Sequence, residues 1–484
     1  MRTGIKVQLY NSFTRKKEDF HPIEDGKVQF YMCGPTVYDY IHIGNARAFI
    51  VFDVLRRFFE FSGFEVTYVL NLTDIDDKII KRAADEKTTT EQIATKYAKA
   101  FLEDLKAIGV RSPTFTPRAT EHLAEIISLI ETLISKGHAY ESDGDVYFSV
   151  KTFSQYGKLS GKKTDELRSG ARVEVDDKKR NPLDFALWKK QKLGEPFWES
   201  AWGKGRPGWH IECSAMSTKF LGQTFDIHAG GSDLIFPHHE NEIAQSECAS
   251  GKKFANYWLH NGFLQIEGDK MSKSLGNFRT VQEVLAKYSS QTLRMFFLQK
   301  HYRSPIDLTE EGLYAAKSAC SKLNVFYQKL QQKLQAQAVA QQENDQQMDV
   351  QKYRSDFTAA LSDDFNTPVA LSVLFALVRD SKSLLEQDKV TASQFDFLND
   401  VKKFFDSANE MMAIFSESSI QNEDELASKL IDLSIEIRNN LRAKGDWELA
   451  DKIRDYLADV GIALEDKQKR TVWRMNSSEN IKKT

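Results

Sequence analysis

The chain has 484 residues, of which 41% are hydrophobic and 28% charged, and these proportions exclude a wholly disordered chain. This length is more than one hydrophobic core supports, so we expect two to four domains. The net charge of −3 shows no overall preference for nucleic acid, and no apolar stretch reaches the length of a membrane span or a signal peptide, so we expect a cytoplasmic protein without membrane segments.

The first elements in chain order predict a parallel α/β sheet. Residues 28–33 read as a buried strand, which Gly34-Pro35 ends. A loop carrying His42 to Asn45 follows, and then a helix from Ala46 to Glu60. Residues 65–70 are a second β-rich run. A strand, a helix and a strand within about forty residues are typical of a βαβ unit, and parallel sheets are built from such units.

The middle and the end of the chain have different patterns. Residues 123–134 predict a helix, 146–150 predict a strand, and helices are expected from Leu313 onwards. The Gln-rich residues 331–347 are a candidate linker, and Phe365-Asn-Thr-Pro368 interrupts the helical runs. Farther on, steps of 4, 3, 4 and 4 predict a helix with one apolar face, formed by Leu426, Leu430, Leu433, Ile437 and Leu441.

Two short motifs suggest nucleotide chemistry. His42-Ile-Gly-Asn45 precedes a predicted helix, where backbone N–H groups favour phosphate and an imidazole can donate to it. Alone, this motif is weak, because a chance loop histidine would look the same. Lys270-Met-Ser-Lys-Ser274 follows Gly268, and its two lysines are placed to neutralise a leaving pyrophosphate. The alternative for this second motif is a solvated lysine loop.

Four cysteines, at positions 33, 213, 248 and 320, are too far apart in sequence to form a CxxC pair or a dense disulfide framework. Cys33 alone could be a buried filler, a nucleophile or a metal ligand. Together with Cys213, His238 and Glu242 it would make a tetrahedral zinc set of two sulfurs, one nitrogen and one oxygen. His238 and Glu242 share a helical face, although a surface pair would have the same spacing.

The motifs extend into a resemblance that covers nearly the whole chain. His42–Asn45 with Lys270–Ser274 resembles the two signatures of class I aminoacyl-tRNA synthetases, with Asn45 where a second histidine is usual. The whole pattern resembles the cysteinyl-tRNA synthetase family in the segments 33–39, 71–78, 208–216, 226–233, 236–245 and 363–368. Within them, Ala229 replaces a commoner glycine, a small change unless the backbone there needs positive φ.

The resemblance implies a set of functional residues. A zinc ion would be held by Cys33, Cys213, His238 and Glu242 and would bind the thiolate of the substrate cysteine. Zinc prefers a soft thiolate to a hydroxyl, so serine would be rejected without editing. The amino-acid pocket would also include Thr73, Trp209 and His228. The ATP site would comprise Thr36, His42, Gly44, Asn45, Asp233, Lys270, Met271, Ser272, Lys273 and Ser274. Charge stabilisation during catalysis would come from His42, Asn45, Lys270 and Lys273.

The resemblance also implies a domain order. A Rossmann-like catalytic domain (1–115 and 206–312) would be divided by an insertion (116–205). An all-α region would follow, with a helical bundle (313–415) and an anticodon-binding end (416–484). The last 18 residues carry six basic residues and one acidic residue, which suits RNA. There, Trp473 would either stack on a base or close a small core.

The expected activity is an ATP-dependent ligase, with Mg²⁺ accompanying ATP. It would form cysteinyl-adenylate and pass cysteine to tRNA(Cys), and we expect a monomer. One alternative is a related ligase that passes cysteine to a non-tRNA amine. Another is a zinc-dependent RNA-binding or redox-sensing protein without catalysis, although such a protein would need neither nucleotide motif.

Overall fold

The structure is a computed structural model that describes residues 5–162, 178–266, 269–270, 279–337, 349–416, 424–467 and 470–475. The strands are β1 (Gln8–Asn11), β2 (Lys16–Asp19), β3 (Lys27–Met32), β4 (Glu65–Leu70), β5 (Ala139–Ser142), β6 (Asp145–Phe148), β7 (Phe185–Lys190), β8 (Gly205–Pro207), β9 (Phe225–Gly231), β10 (Ala255–Asn261), β11 (Leu264–Ile266), β12 (Asp269–Lys270), β13 (Ile306–Leu308), β14 (Ile462–Lys467) and β15 (Arg470–Met475). The α-helices are α1 (Ile43–Phe61), α2 (Asp77–Glu86), α3 (Thr90–Ala107), α4 (Leu123–Ser135), α5 (Trp209–Leu221), α6 (Glu240–Ser250), α7 (Val281–Leu285), α8 (Ser290–Leu298), α9 (Glu310–Ala336), α10 (Gln351–Ser362), α11 (Thr367–Glu386), α12 (Ala392–Met412), α13 (Asp424–Ala443) and α14 (Trp447–Asp459).

A parallel sheet in the order β10-β9-β3-β4 lies at the centre of the first of two compact units, which ends at Phe415. The predicted βαβ unit is confirmed as β3, α1 and β4, with Met32 of β3 opposite Leu70 of β4 and Ala229 of β9. Helices cover the sheet, so its strands are almost continuously apolar: Val28, Phe30, Tyr31 and Met32 of β3 are all buried. The carboxyl ends of all four strands meet at one edge.

The predicted insertion contains α4 and an antiparallel sheet in the order β5-β6-β7-β8. Helix α4 agrees with the expected helix at 123–134, and β6 with the expected strand at 146–150. Strand β8 crosses the boundary that we placed after residue 205. The domain limits themselves stay a prediction.

Four long helices, α9 to α12, belong to the same compact unit as the sheet and share its core. The break predicted at Phe365–Pro368 lies between α10 and α11 but ends at Asn366, which caps α11, so that Thr367 and Pro368 are the first residues of that helix. The predicted linker at 331–347 is wrong in its first part, because α9 continues to Ala336, and glutamine is a good helix former. Residues 338–348 lie outside the described ranges.

The second unit begins at Ser416 and contains α13, α14 and the hairpin β14-β15, so this end is not all-α as predicted: its helices are followed by two paired strands. Its small core is formed by Ile431, Ile435 and Ile462, with Trp473 packed against it. The apolar face predicted for α13 is not the face that is buried. Leu430 and Leu433 are half exposed, and the buried isoleucines lie beside them. None of the helices in the ranges given above is long and apolar enough to cross a membrane.

Candidate active site

A cleft of about 310 Å³ opens at the carboxyl edge of the parallel sheet, where α/β proteins usually bind their ligands. The segments that leave all four strands contribute to its walls. The predicted site residues that line it are Cys33, Thr36, His42, Gly44, Asn45, Trp209 and Asp233. The sequence motifs therefore converge on one cavity, although they are up to 200 residues apart in the chain.

The His42 segment begins helix α1. We predicted a loop here and a helix from Ala46; instead the helix begins at Ile43, because His42 and Asn45 cap it reciprocally. The Asn45 N–H donates to His42 Nδ1 (3.2 Å), and the His42 N–H donates to Asn45 Oδ1 (3.4 Å). Since Nδ1 accepts, a neutral His42 carries its proton on Nε2, the tautomer that can donate to a phosphate oxygen. Asn45 thus has a structural role that histidine would not fill in the same way.

The chain after Cys33 is tied to the chain after β4. The Gly34 N–H donates to Asn71 Oδ1 (2.9 Å), and the Thr73 N–H donates to the Pro35 carbonyl (3.2 Å). Gly34 passes so close that an added Cβ would lie 1.6 Å from the Asn71 carbonyl oxygen, so only glycine fits here. This contact fixes the direction in which Cys33 leaves the sheet.

Four side chains that could hold a metal ion meet beside the cleft, which Cys33 also lines. Their ligand atoms all lie within 4.8 Å of one another, and every residue is at most 5% exposed: Cys33, Cys213, His238 and Glu242. Cys33 Sγ lies 3.9 Å from Cys213 Sγ and 3.5 Å from Glu242 Oε1. Glu242 Oε1 lies 3.0 Å from His238 Nε2. Tetrahedral zinc ligands lie roughly 3.3–3.8 Å apart, so this donor set fits the ion.

Burial and mutual contacts set the protonation of this cluster. The Cys33 thiol donates to Cys213, which lowers the pKa of Cys213 to about 6, whereas burial raises the pKa of Cys33. Burial alone would raise the pKa of Glu242, but His228 and His238 lower it to about 2. Burial alone would lower the pKa of His238, yet Glu242 and Cys213 raise it to about 10. At neutral pH the cluster is therefore a thiolate and a carboxylate balanced by a protonated His238, which would have to release its proton to ligate a metal ion.

Neighbouring imidazoles surround these four residues. His238 Nδ1 lies 2.9 Å from His210 Nδ1, which turns Nε2 towards the cluster, and the Trp209 ring stacks on His238 at 4.4 Å. His228 Nε2 contacts the other oxygen of Glu242 at 2.9 Å. A second set of possible ligands, Cys33 and Glu242 with His228 and His239, satisfies the same distance limit.

Several predicted site residues lie elsewhere or outside the description. Thr73 and His228 are 2% and 0% exposed and are not among the residues that line the cleft. Lys270 is described only as backbone at the end of β12, and residues 271–274, with Lys273, lie outside the described ranges. Ala229 is extended in β9 and is not a positive-φ position, so its backbone does not require glycine.

Two residues were missed by the sequence reasoning. Lys78 lines the cleft opposite the helix start, and His210 contacts His238. Both stand inside segments that carried the resemblance, and His210 is next to Trp209, which was already considered. A search for a cation close to the phosphate site could have found Lys78, and a search for a hydrogen-bond partner of the ligating imidazole could have found His210.

Comparison with known proteins shows the family of this chain. The model of the class I (C) tRNA synthetase catalytic domain matches residues 19–318, and the DALR domain model matches residues 356–415. The cysteine–tRNA ligase of Carboxydothermus hydrogenoformans is 49% identical over 97% of this chain and 100% of its own length. That of Pyrococcus horikoshii is 50% identical over 97% and 99%. The chain belongs to the cysteine–tRNA ligase family.

The fold of this family member is shared with other class I synthetases. The methionyl-tRNA synthetase of Mycobacterium tuberculosis, in complex with methionyl-adenylate, is similar with a TM-score of 0.60 at 15% identity. The match covers 84% of this chain and 94% of that structure. At this identity the likeness concerns the fold alone, and it agrees with the predicted Rossmann-like class with a helical C-terminal region.

Proposed function

We propose that this protein activates L-cysteine with ATP and transfers cysteine to the 3′ end of tRNA(Cys). The observation that carries the proposal is the buried cluster of two cysteines, a histidine and a glutamate in the same cleft as the capped His42 helix start. Relatives named cysteine–tRNA ligases, matched along almost their full length, support the tRNA acceptor over another amine.

The first step joins cysteine to AMP. A carboxylate oxygen of cysteine attacks the α-phosphorus of ATP, the bond to the bridging oxygen of the β-phosphate breaks, and pyrophosphate leaves with the electron pair. His42 Nε2–H and the Asn45 amide would donate to phosphate oxygens, and Lys270 and Lys273 would neutralise the departing charge. Thr36, Gly44 and Asp233 would hold the nucleotide, and Met271, Ser272 and Ser274 belong to the same proposed site.

The second step transfers cysteine to tRNA. A hydroxyl of the terminal adenosine attacks the carbonyl of the adenylate, loses its proton, and AMP leaves with the bonding pair. The exposed Trp209 ring would contact the substrate side chain, while Thr73 and His228 would support the pocket from behind. No side chain needs to form a covalent intermediate.

Cys33, Cys213, His238 and Glu242 would hold one zinc ion. When bound, zinc would supply a soft Lewis acid that favours the substrate thiolate over the hydroxyl of serine. We prefer this set to the one with His228 and His239, because it contains two sulfurs. Mg²⁺ would accompany ATP. The protein would act as a monomer in the cytoplasm.

Two assays test the proposal. Cysteine-dependent exchange of pyrophosphate into ATP, with serine as the control substrate, tests activation. Charging of total tRNA with labelled cysteine tests transfer. We expect exchange with cysteine but not with serine, and labelled tRNA. Exchange without labelled tRNA would favour the non-tRNA acceptor, and no exchange at all would favour a protein without catalysis.

A further inference from the structure

Arg47, two residues after Asn45 in helix α1, is fully buried. Burial lowers the pKa of this guanidinium to about 10, and no acidic group opposes that effect. In the described part of the chain Arg47 forms no ion pair. A buried charge is costly unless it is hydrogen-bonded, so the partners of this side chain need an explanation.

The guanidinium of Arg47 donates to the backbone of two separate segments. Nη1 donates to the carbonyls of Gly262 (2.7 Å) and Phe263 (2.9 Å). Nη2 donates to the carbonyls of Tyr302 (3.2 Å) and Ser304 (2.5 Å), with a longer contact of 3.4 Å to His301. The planar guanidinium can donate hydrogen bonds to two segments at once, whereas a lysine has a single ammonium at the end of a flexible side chain.

Both segments lead into the small sheet that carries Lys270. Gly262 and Phe263 directly precede β11, and Ser304 stands two residues before β13. Strands β11 and β13 pair in parallel, and β11 also pairs with β12, whose last residue is Lys270. Arg47 therefore joins helix α1, which His42 caps, to the two segments that enter the sheet β12-β11-β13.

The packing at this junction leaves little freedom. The Gly262 N–H donates to the Tyr302 carbonyl (2.8 Å), and a Cβ on Gly262 would lie 2.6 Å from the carbonyl oxygens of Arg303 and Ser304. On the far side of the Lys270 motif, the Ile43 N–H donates to the Arg279 carbonyl (3.0 Å). The chain is thus tied to the start of α1 both before and after this motif.

We propose that Arg47 is a positioning residue for the activation step: it sets the place of Lys270 relative to His42 and Asn45. The inference rests on the proposed function, because Lys270 acts there on the departing pyrophosphate. An error of about 1 Å in the position of a catalytic group can lower a rate about 100-fold. The cysteine end of the cleft does not depend on Arg47, since its ligands stand on β3, α5 and the chain from Ile235 to α6.

The test is Arg47→Lys, measured by cysteine-dependent ATP–pyrophosphate exchange. We expect kcat to fall about 100-fold, with an unchanged KM for cysteine and unchanged metal content. Hydrogen exchange followed by mass spectrometry should show faster exchange in β11, with no change in β3. If Arg47 only stabilised the fold, the fall in kcat would not be accompanied by faster hydrogen exchange confined to β11.

Arg294 provides a control. It is also fully buried and donates to the backbone carbonyls of Met412 (2.7 Å) and Gly109 (3.2 Å), but unlike Arg47 it pairs with a carboxylate, Asp53 (2.8 Å), and no described contact joins it to either segment of the Lys270 sheet. Arg294→Lys should lower the melting temperature and leave kcat near that of the wild type.

The outcomes separate the inference from the proposed function. A wild-type protein without exchange activity would overturn both. An active wild type with an equally active Arg47→Lys variant, or an equal loss of kcat in Arg294→Lys, would overturn the positioning role alone. If Arg47→Lys does not fold, Gly262→Ala disturbs the same junction from the other side, and an unchanged kcat in that variant would overturn the inference.

Discussion

The two ends of the cleft are built in different ways. At the amino-acid end, the side chains of Cys33, Cys213, His238 and Glu242 touch one another and are almost fully buried. At the nucleotide end, His42 and Asn45 cap a helix, and Lys270 stands on a two-residue strand joined to that helix through backbone contacts. Under the proposed function, the first end would select by the chemistry of its metal ligands, and the second would depend on how accurately separate segments of backbone are placed.

This difference predicts how each end responds to mutation. Loss of one of the four candidate ligands at the amino-acid end should abolish both metal binding and cysteine binding, because these side chains themselves would bind the metal. Loss of a charged group at the nucleotide end should slow the reaction and leave cysteine binding intact. The following changes separate the two ends, from the largest expected effect to the smallest.

Cys33→Ser should have the largest effect. Replacing a thiolate weakens a soft metal site, so zinc content and cysteine activation should fall together. We expect kcat/KM for cysteine to fall by at least about 1,000-fold. Loss of a residue that only hydrogen-bonds to a metal ligand costs roughly 10–100-fold, and loss of the ligand itself should cost more. Metal analysis of the purified variant and pyrophosphate exchange measure the two effects. Full zinc content with a normal KM for cysteine would remove Cys33 from the ligand set.

Lys270→Ala should affect only the nucleotide end. A group that stabilises developing charge contributes mainly to kcat, so we expect a fall of about 100-fold in exchange with an unchanged KM for cysteine and unchanged zinc. Steady-state kinetics at varied cysteine and ATP measure this division. A rise in the KM for cysteine as large as the fall in kcat would contradict the separation of the two ends.

His210→Asn should have a moderate effect confined to the amino-acid end. His210 contacts the far nitrogen of His238, and loss of such a partner costs about 10-fold or more in metal affinity. Competition with a chelator measures that affinity. The exchange rate at saturating zinc should remain close to that of the wild type. No change in zinc affinity would mean that His210 does not orient His238.

Ala229→Gly should have the smallest effect. Ala229 is buried and extended in β9, so glycine gives greater freedom to the unfolded chain and removes one buried methyl group. We expect a loss of about 1–2 kcal/mol in the free energy of unfolding, with normal exchange kinetics. Denaturant unfolding measures it. A gain in kcat would show that the backbone at this position affects the site.

The sequence predicted the fold class and the residues of the site better than their detailed arrangement. Regular periodicity located β3, α1 and β4 within a few residues, and the motif resemblance brought Cys33 together with Cys213, His238 and Glu242. The start of α1 was misplaced, because a cap made by histidine and asparagine is not a usual start signal. The buried side of α13 was misplaced because isoleucines and leucines alternate around that helix.

The role proposed for Arg47 had no signal in the sequence pattern. An arginine in an apolar helix reads as exposed or paired with an acid, whereas this one bonds only to backbone carbonyls from two other segments. Every residue has a backbone carbonyl, so the sequence does not show which carbonyls accept from Arg47, and only the folded structure does. His228 was predicted as a pocket residue, but its contact with Glu242 also appears only in the folded arrangement of β9 and α6.

The metal-binding cluster also bears on how the protein is made. Its donors come from β3, from α5 and from the chain around α6, so more than 200 residues separate the first from the last. During synthesis Cys33 leaves the ribosome long before Glu242, with the whole predicted insertion between them. A complete binding site therefore reports that both halves of the catalytic domain have closed around the insertion. Uptake of the ion would mark the end of assembly of the catalytic domain.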